Sequence, residues 1–302
     1  MKNLITIAIT TYKRTDYVRK ALDSAINQTK PCRILLIDNN SPHNEFETIV
    51  DSYKNADINF IKIDQTIPMD ENFNNCFRYA ETPWVTILHD DDMLHCQYVE
   101  NSLKILERYG EMVDGIVYST FVSKREWEEI NKVKKLTGDI RIMNPEYFYF
   151  YLIPFPGVLV KKDIALEFGG FNSEYYPTAD LDFWYQYTSR IKKMFYVNQA
   201  MSFYRISPTQ ITNKYISEII NNTYSYRLNL IKTGRYNNFL SKLGLEHTRI
   251  SQIKYYRDTY DSIQVPKLIN EGKFRKAKKI LKFRIPNKIV RLYKKRVSFS
   301  AL

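Results

Sequence analysis

The chain has 302 residues, 44% of them hydrophobic and 15% aromatic, enough to bury one large core with or without an appendage. Its formal charge of +12 lies in residues 272–302, which hold twelve Lys or Arg and no acid; the rest carries 45 − 12 = 33 basic against 33 acidic residues, which excludes a generally basic, nucleic-acid-binding surface. Cys32, Cys76 and Cys96 are odd in number and form no C-x-x-C pair, which argues against a disulfide framework or zinc ribbon and fits a reducing cytoplasm.

The first apolar run, residues 4–10 (LITIAIT), is broken by Thr6 and Thr10 and lacks a small-residue cleavage site, so it reads as a strand and not a signal peptide. Four more β-rich runs follow at 33–37 (RILLI), 58–63 (INFIKI), 84–88 (WVTIL) and 115–119 (GIVYS). Helical patterns separate most of them. Val18, Leu22, Ala25 and Ile26 share one face of a helix opened by Thr15 or Asp16, and Val99, Leu103 and Leu106 share a face of another that starts near Leu94. Strands alternating with helices predict an α/β fold with a doubly wound, mostly parallel sheet, in which ligands bind beyond the carboxyl ends of the strands. Those ends read TTYKR, DNNS and HDDD, all polar.

Further along, residues 123–140 are rich in Lys and Glu and read as a surface segment. The aromatic run 147–151 is either core or a face for stacking on sugar rings. It lies in a charge-free stretch, 147–160, of 14 residues with two prolines, short of the ~20 needed to span a bilayer. The basic tail contains two short amphipathic patterns, Phe274, Ala277, Leu281 and Ile285, then Ile289, Leu292, Tyr293 and Val297 after Pro286. Such helices either lie on an anionic membrane surface, at about 1 kcal/mol per basic residue, or pack on their own domain.

Three adjacent carboxylates, Asp90, Asp91 and Asp92, at the end of an apolar strand require a positive partner. The chain has nine glycines and neither G-x-G-x-x-G nor a P-loop, so bound phosphates need another counter-charge. Mg²⁺ or Mn²⁺ held by the aspartates and bridging to a diphosphate meets both needs. The competing reading is that the acids favour the N-terminus of the following helix, at about 0.3–1 kcal/mol each.

Four blocks, in order over about residues 3–206, resemble the inverting glycosyltransferases of family 2, which have the GT-A fold. ITTYKR resembles the family's opening strand and loop, which implies nucleotide contacts for Thr10, Tyr12 and Arg14. LLIDNNS resembles V-D-D-x-S, with Asp38 at the first acid and Asn39 at the second, where the family pairs with uracil; the amide leaves UDP and dTDP both open, with UDP preferred. LHDDD resembles L-D-x-D-D. His89 replaces its first acid and Asp91 and Asp92 match the last two, while Asp90 and Asp92 also make a literal D-x-D; the resemblance implies Asp90 and Asp91 at the nucleotide-sugar and Asp92 and Asp90 at the metal. EFGGFNSEYYPTADLDFWYQ resembles G-G-F-D-E followed by E-D-x-D-L, with Gly169, Gly170 and Phe171 at the turn, Ala179 at the usual Glu, Asp180 at the catalytic base, and Asp182 and Trp184 in acceptor or supporting positions. Arg205 matches the Arg of a Y-R-x-H segment near the diphosphate, with Ser207 in place of the His. In DENFNNC, which resembles the A-R-N-x-G helix start, Glu71 stands where Arg is common.

The resemblance implies a GT-A domain over 1–212, its nucleotide-binding part about 1–120 and its acceptor part about 140–212, followed by a helical extension, 213–302. It implies metal-dependent, inverting transfer from a nucleoside-diphosphate sugar to a hydroxyl of a glycan or lipid-linked glycan, in surface polysaccharide synthesis. The expected setting is cytoplasmic and peripheral on the inner face of the membrane, through 272–302. Asp180 has a rival reading as a helix N-cap, with Asp182 in the first turn. Two other functions compete: a nucleotidyltransferase, which should show a Gly-rich phosphate loop, and a weakened binding module of the same fold, which Asn39, Glu71 and Ala179 would signal.

Overall fold

The computed structural model describes residues 4–54, 56–123, 139–143, 155–206, 214–234, 245–246 and 248–249. Residues 1–244 belong to one compact unit and 245–302 to another. The aromatic run 147–151, most of the Lys/Glu segment, Ser207 and the whole basic tail lie outside the described residues.

Among the described residues nine strands form one sheet: β1 (Ile5–Thr11), β2 (Arg33–Asp38), β3 (Ile58–Lys62), β4 (Trp84–His89), β5 (Met93–Leu94), β6 (Gly115–Ser123), β7 (Ile140–Met143), β8 (Val158–Lys161) and β9 (Met194–Arg205). The path runs β3-β2-β1-β4-β8-β6-β9-β5, with β7 beside β9. Its first half is wholly parallel and agrees with the sequence pattern. Beyond β4 the sheet is mixed: β8 is antiparallel to β4 and β6, and β6 is parallel to β9.

Every residue of β1 is buried, as expected for a strand covered on both faces. Ile5, Ile7 and Ile9 pack into one core with Val18, Ala21, Leu22 and Ala25 of α1 (Val18–Ile26) and Tyr98, Val99 and Ile105 of α4 (Tyr98–Tyr109). Ala8 points into the other core, with Cys76 and Phe77 of α3 (Met69–Tyr79) and Phe183, Trp184 and Tyr187 of α6 (Ala179–Thr188). A short α2 (Glu45–Asp51) follows β2, α5 (Lys162–Glu167) follows β8, and α7 (Ile216–Lys232) follows the sheet. Cys32, Cys76 and Cys96 are free thiols.

Two helix starts differ from the sequence reading. The residue before α1 is Tyr17, not Thr15 or Asp16, and Thr15 instead donates to Glu45 Oε2 at 3.2 Å. The helix expected near Leu94 begins at Tyr98, because Met93 and Leu94 are taken into the sheet as β5, opposite Phe203 and Ser202 of β9. The three aspartates therefore do not sit at a helix N-terminus, and capping does not account for them.

Strand register lines up the polar ends. Thr10 lies beside Ile37 and His89, and Thr11 beside Asp38, so the loops after β1, β2 and β4 leave one edge together. A second turn joins the far helices. Gly169 and Gly170 have φ of +86° and +75°, and Asn74 of α3 clasps the next residue, its Oδ1 accepting from Phe171 N at 2.6 Å and its Nδ2 donating to Phe171 O at 2.9 Å. A Cβ on Gly170 would fall 2.2 Å from Asn74 Oδ1. Gly170→Ala should therefore destabilise by about 2 kcal/mol or more, from the left-handed backbone and the broken buried hydrogen bonds. A thermal melt tests this, and an unchanged midpoint would show that the turn is not strained.

Candidate active site

The loops after β1 and β2 are built as one unit. Asp38 is buried, and its Oδ1 accepts from Ser41 N at 3.1 Å and Ser41 Oγ at 2.6 Å. Ser41 Oγ in turn accepts from Lys13 N at 2.8 Å. Lys13 and Asn40 adopt φ of 61° and 54°, left-handed conformations that let both loops turn sharply. The other oxygen, Asp38 Oδ2, is buried and has no hydrogen-bond partner among the described residues. Tyr12 stands half-exposed above this corner, with Lys13 Nζ 4.7 Å from its ring centroid, while Thr10 is buried in the strand.

Asn39 is engaged elsewhere. Its Nδ2 donates to Ile67 O at 2.9 Å and its Oδ1 accepts from Ile67 N at 3.0 Å, so the whole amide holds the segment that enters α3. The group that presents an unused acceptor at this corner is Asp38.

The positive partners that the acidic strand end requires are Arg14 and Arg205. Arg14 Nη2 lies 2.6 Å from Asp90 Oδ1 and 2.9 Å from Asp91 Oδ2. Burial works to lower the Arg14 pKa, and the two carboxylates more than restore it. Asp90 also accepts from Thr11 Oγ1 at 3.2 Å; burial pushes its carboxyl up to about 6 even with Arg14 beside it. Arg205 is buried, its guanidinium carbon 4.2 Å from the Tyr17 ring centroid. Its Nε donates to Asp91 O at 3.0 Å and its backbone N to Asp92 Oδ1 at 2.8 Å. It thus braces the turn from inside the fold.

His89, Asp91 and Asp92 offer ligand atoms that lie within 4.8 Å of one another. Asp92 Oδ2 is buried, makes no hydrogen bond among the described residues and lies 3.3 Å from His89 Nδ1. Two carboxylates and an imidazole, gathered around a buried oxygen whose polar neighbour is that imidazole, fit a divalent cation such as Mg²⁺ or Mn²⁺. The set differs from the expected Asp92 and Asp90: Arg14 lies against both Asp90 and Asp91, and the groups whose ligand atoms come together with Asp92 are Asp91 and His89. Burial opposes protonation of His89, but Asp92 and then Asp91 and Asp90 outweigh it and raise its pKa.

Asp180 lies at the start of α6. The residue before the helix is Thr178, and no side chain caps it, so the N-cap reading of Asp180 does not hold; its Oδ1 accepts from Leu181 N at 2.9 Å. Burial lifts its carboxyl to about 6, against the opposing pull of the Leu181 and Asp180 backbone N–H groups and, least, of the charge on His89. Asp182 is buried, accepts from Tyr226 Oη at 2.6 Å and ties α6 to α7. Trp184 is buried against Phe155, ring centroids 4.6 Å apart, and belongs to the core.

The sequence reading missed Asp70, at the start of α3; His89, at a strand end, reads from sequence as a metal or phosphate neighbour or, more simply, as a hydrogen-bonding residue, and it stands with Asp91 and Asp92. Asp70 is 5% exposed, and burial together with the charge of Asp180 pushes it up to about 6. In DENFNNC the eye falls on Glu71, which is bound to Arg78 Nη1 at 2.5 Å on its own helix.

The model of a family described as glycosyl transferase family 2 matches residues 6–163. An uncharacterized glycosyltransferase of Rickettsia typhi is 22% identical over 226 residues, 72% of this chain and 68% of that one, and one from Rickettsia prowazekii matches equally. Among solved structures, S. aureus TarS 1–349 shares the fold with a TM-score of 0.62 at 13% identity, over 91% of this chain and 78% of that one. Its complex with UDP gives 0.58 at 14% identity, over 75% of this chain and 66% of that one. A mannosyltransferase from Pyrobaculum calidifontis in complex with GDP-Man and Mn²⁺ gives 0.56 at 11% identity, over 83% and 74%. With the parallel half-sheet, the acidic end of β4 and more than half of the sequence inside one family model, this chain belongs to glycosyl transferase family 2.

Proposed function

We propose that the protein is a divalent-cation-dependent, inverting glycosyltransferase that moves a sugar from a nucleoside-diphosphate sugar, UDP-linked in preference to dTDP-linked, to a hydroxyl of a glycan or lipid-linked glycan. The observation that carries this reading is the pairing of a cation-competent cluster, His89, Asp91 and Asp92, with a half-buried carboxyl, Asp180, that lies within the field of His89.

In this reading Asp38 Oδ2 accepts the imide N–H of the pyrimidine, Tyr12 covers the ring and Thr10 lies along its edge. Asn39 acts through the Ile67 segment and does not touch the base. The preference for UDP leans on TarS, whose structure holds UDP. Arg14 holds Asp90 and Asp91 in place, and Arg205 braces the same turn. Asp92, with Asp91 and His89, would hold the cation, which would supply positive charge to the diphosphate leaving group. Transfer is a single displacement: the acceptor oxygen bonds to the anomeric carbon, the bond from that carbon to the phosphate oxygen breaks with its electron pair leaving on the diphosphate, and Asp180 takes the acceptor's proton. Gly169 and Gly170 make the turn that precedes Asp180. Calorimetry with UDP, dTDP and GDP, with Mn²⁺ and with chelator, tests the donor side; no binding of any nucleotide under either condition would defeat the reading.

Among the described residues no helix is long and apolar enough to cross a membrane. The twelve basic residues of 272–302 support a peripheral contact with anionic lipid, which suits a lipid-linked acceptor in surface polysaccharide synthesis. Full-length protein should sediment with anionic vesicles at low salt and release as salt rises, since surface attraction is screened over about 8 Å at physiological ionic strength. A chain lacking 272–302 should stay in the supernatant and still bind nucleotide. Equal sedimentation of the shortened chain would show that the tail is structural.

A further inference from the structure

Asp70 is not used by the chemistry above, yet it is built like a functional group. It is 5% exposed, and its Oδ2 is buried with no hydrogen-bond partner among the described residues. A buried acceptor without a donor is costly, and native folds rarely keep one that nothing satisfies. Its neighbours indicate the kind of ligand. The charge of Asp180, on α6, reaches it, and the charge of Asp70 in turn reaches the hydroxyl of Tyr176. Tyr176 is 38% exposed and leans edge-on against Tyr215, ring centroids 5.5 Å apart, and Asn222 of α7 donates to its carbonyl at 3.4 Å.

Two carboxyls within reach of each other's charge repel a phosphate or carboxylate and accept hydroxyl donors. A half-exposed tyrosine beside them offers a flat apolar face with a polar edge, which suits the C–H face of a pyranose. An uncharged, hydroxyl-rich ring satisfies all three groups, and the diphosphate satisfies none.

We propose that Asp70 and Tyr176 form the acceptor subsite, in which a neutral pyranose stacks on Tyr176 and donates one hydroxyl to Asp70 while a neighbouring hydroxyl meets Asp180. This rests on the reading of Asp180 as the base, and it names what that base works upon: the terminal sugar of the acceptor is uncharged at this end. Asn74, which clasps Phe171 from the same helix as Asp70, holds the turn that leads to Tyr176 and Asp180.

The test uses methyl glycosides of glucose, galactose, mannose and N-acetylglucosamine as probes, followed by saturation-transfer NMR on the full-length protein with and without UDP and Mn²⁺. At least one glycoside should bind the wild type, and glucose 6-phosphate should bind more weakly than methyl glucoside. Asp70→Ala should weaken the bound glycoside by about 10-fold or more, the size expected for a hydrogen bond to a charged group. Asp70→Asn, which keeps an acceptor oxygen, should recover part of it, and Tyr176→Ala should lose it. Calorimetric affinity for UDP with Mn²⁺ should be the same in wild type and Asp70→Ala.

Melting temperature gives an independent readout. The carboxyl of Asp70 is raised to about 6 in the fold, above its unfolded value, so its burial opposes stability above that pH and ceases to do so at pH values below the unfolded one. Asp70→Asn should therefore melt higher than wild type at pH 8 and no higher at pH 3.5. A lower melting temperature at pH 8 would mark Asp70 as structural and overturn the proposal. So would wild type that binds none of the glycosides, tighter binding of the phosphate, or loss of UDP affinity in Asp70→Ala. Failure of UDP to bind wild type would instead defeat the donor reading, and the glycoside measurement without nucleotide would still stand.

Discussion

Asp180→Asn should keep nucleotide affinity and lose transfer by about 10²–10⁴-fold, the range expected when a general base is removed. The substitution is nearly isosteric, and it exchanges a proton acceptor for an amide that cannot take the proton. Folding should be undisturbed, because removing a buried charge relieves desolvation, and the bond from Leu181 N can pass to the amide oxygen. The pH dependence follows from the same carboxyl. In the fold it is held at about 6, above the ordinary carboxylate range, because burial disfavours its charge. A base works only when ionised, so kcat/KM should be flat above that pH and fall tenfold per unit as pH drops through and below it. An acid limb centred near 4 would point to a solvated carboxylate. Near-normal turnover in Asp180→Asn would remove Asp180 from the role. Asp182, the next acid along the helix, is a poor substitute because Tyr226 occupies one of its oxygens.

The sequence shows the parallel half of the fold well because fully buried strands leave continuous apolar runs. LITIAIT, RILLI and WVTIL all fall in strands, and the polar residues that end them fall at one edge. The mixed half is harder to read. β5 is two residues long, too short to carry an alternation, and β9 runs through MFYVNQAMSFYR with buried residues on both faces. The pairing of β5 with β9 moved the start of α4 from Leu94 to Tyr98, and with it went the capping account of the aspartates.

Site residues were legible by type and less so by partner. The acidic end of β4 calls for positive charge, and Arg14, in the loop after β1, and Arg205, at the end of β9, supply part of it from 76 and more residues away in sequence. No local pattern states that Arg14 will pair with both Asp90 and Asp91, or that His89 and Asp91 will be the groups that stand with Asp92. Asn39 carries the same lesson. Its amide suits a nucleobase, but it suits a peptide equally, and the Ile67 backbone takes both of its hydrogen bonds. Asp70 was hidden because its significance lies in its burial within reach of the charge of Asp180, 110 residues further on, and not in its own sequence neighbours.

Removing the cation should have the second large effect. With chelator in place of Mn²⁺, transfer should fall by about 10³-fold or more, since a divalent ion contributes several kcal/mol to a transition state that develops charge on a leaving diphosphate. The rival is that Arg14 and Arg205 already supply enough positive charge. Their geometry weighs against it: Arg14 is held by Asp90 and Asp91, and Arg205 is buried with its Nε on Asp91 O. The three aspartates, at −3, exceed the two arginines, at +2, and a protonated His89 only brings the sum to zero, so without a cation the turn has no surplus positive charge for a diphosphate. Asp92→Asn separates the two accounts. If the cation matters, the variant should lose most Mn²⁺-dependent UDP binding, and extra Mn²⁺ should restore part of it. If the arginines suffice, the variant should bind UDP as well as or better than wild type, because a repelling charge has gone. In that case UDP binding should be insensitive to chelator and should instead be lost in Arg14→Met.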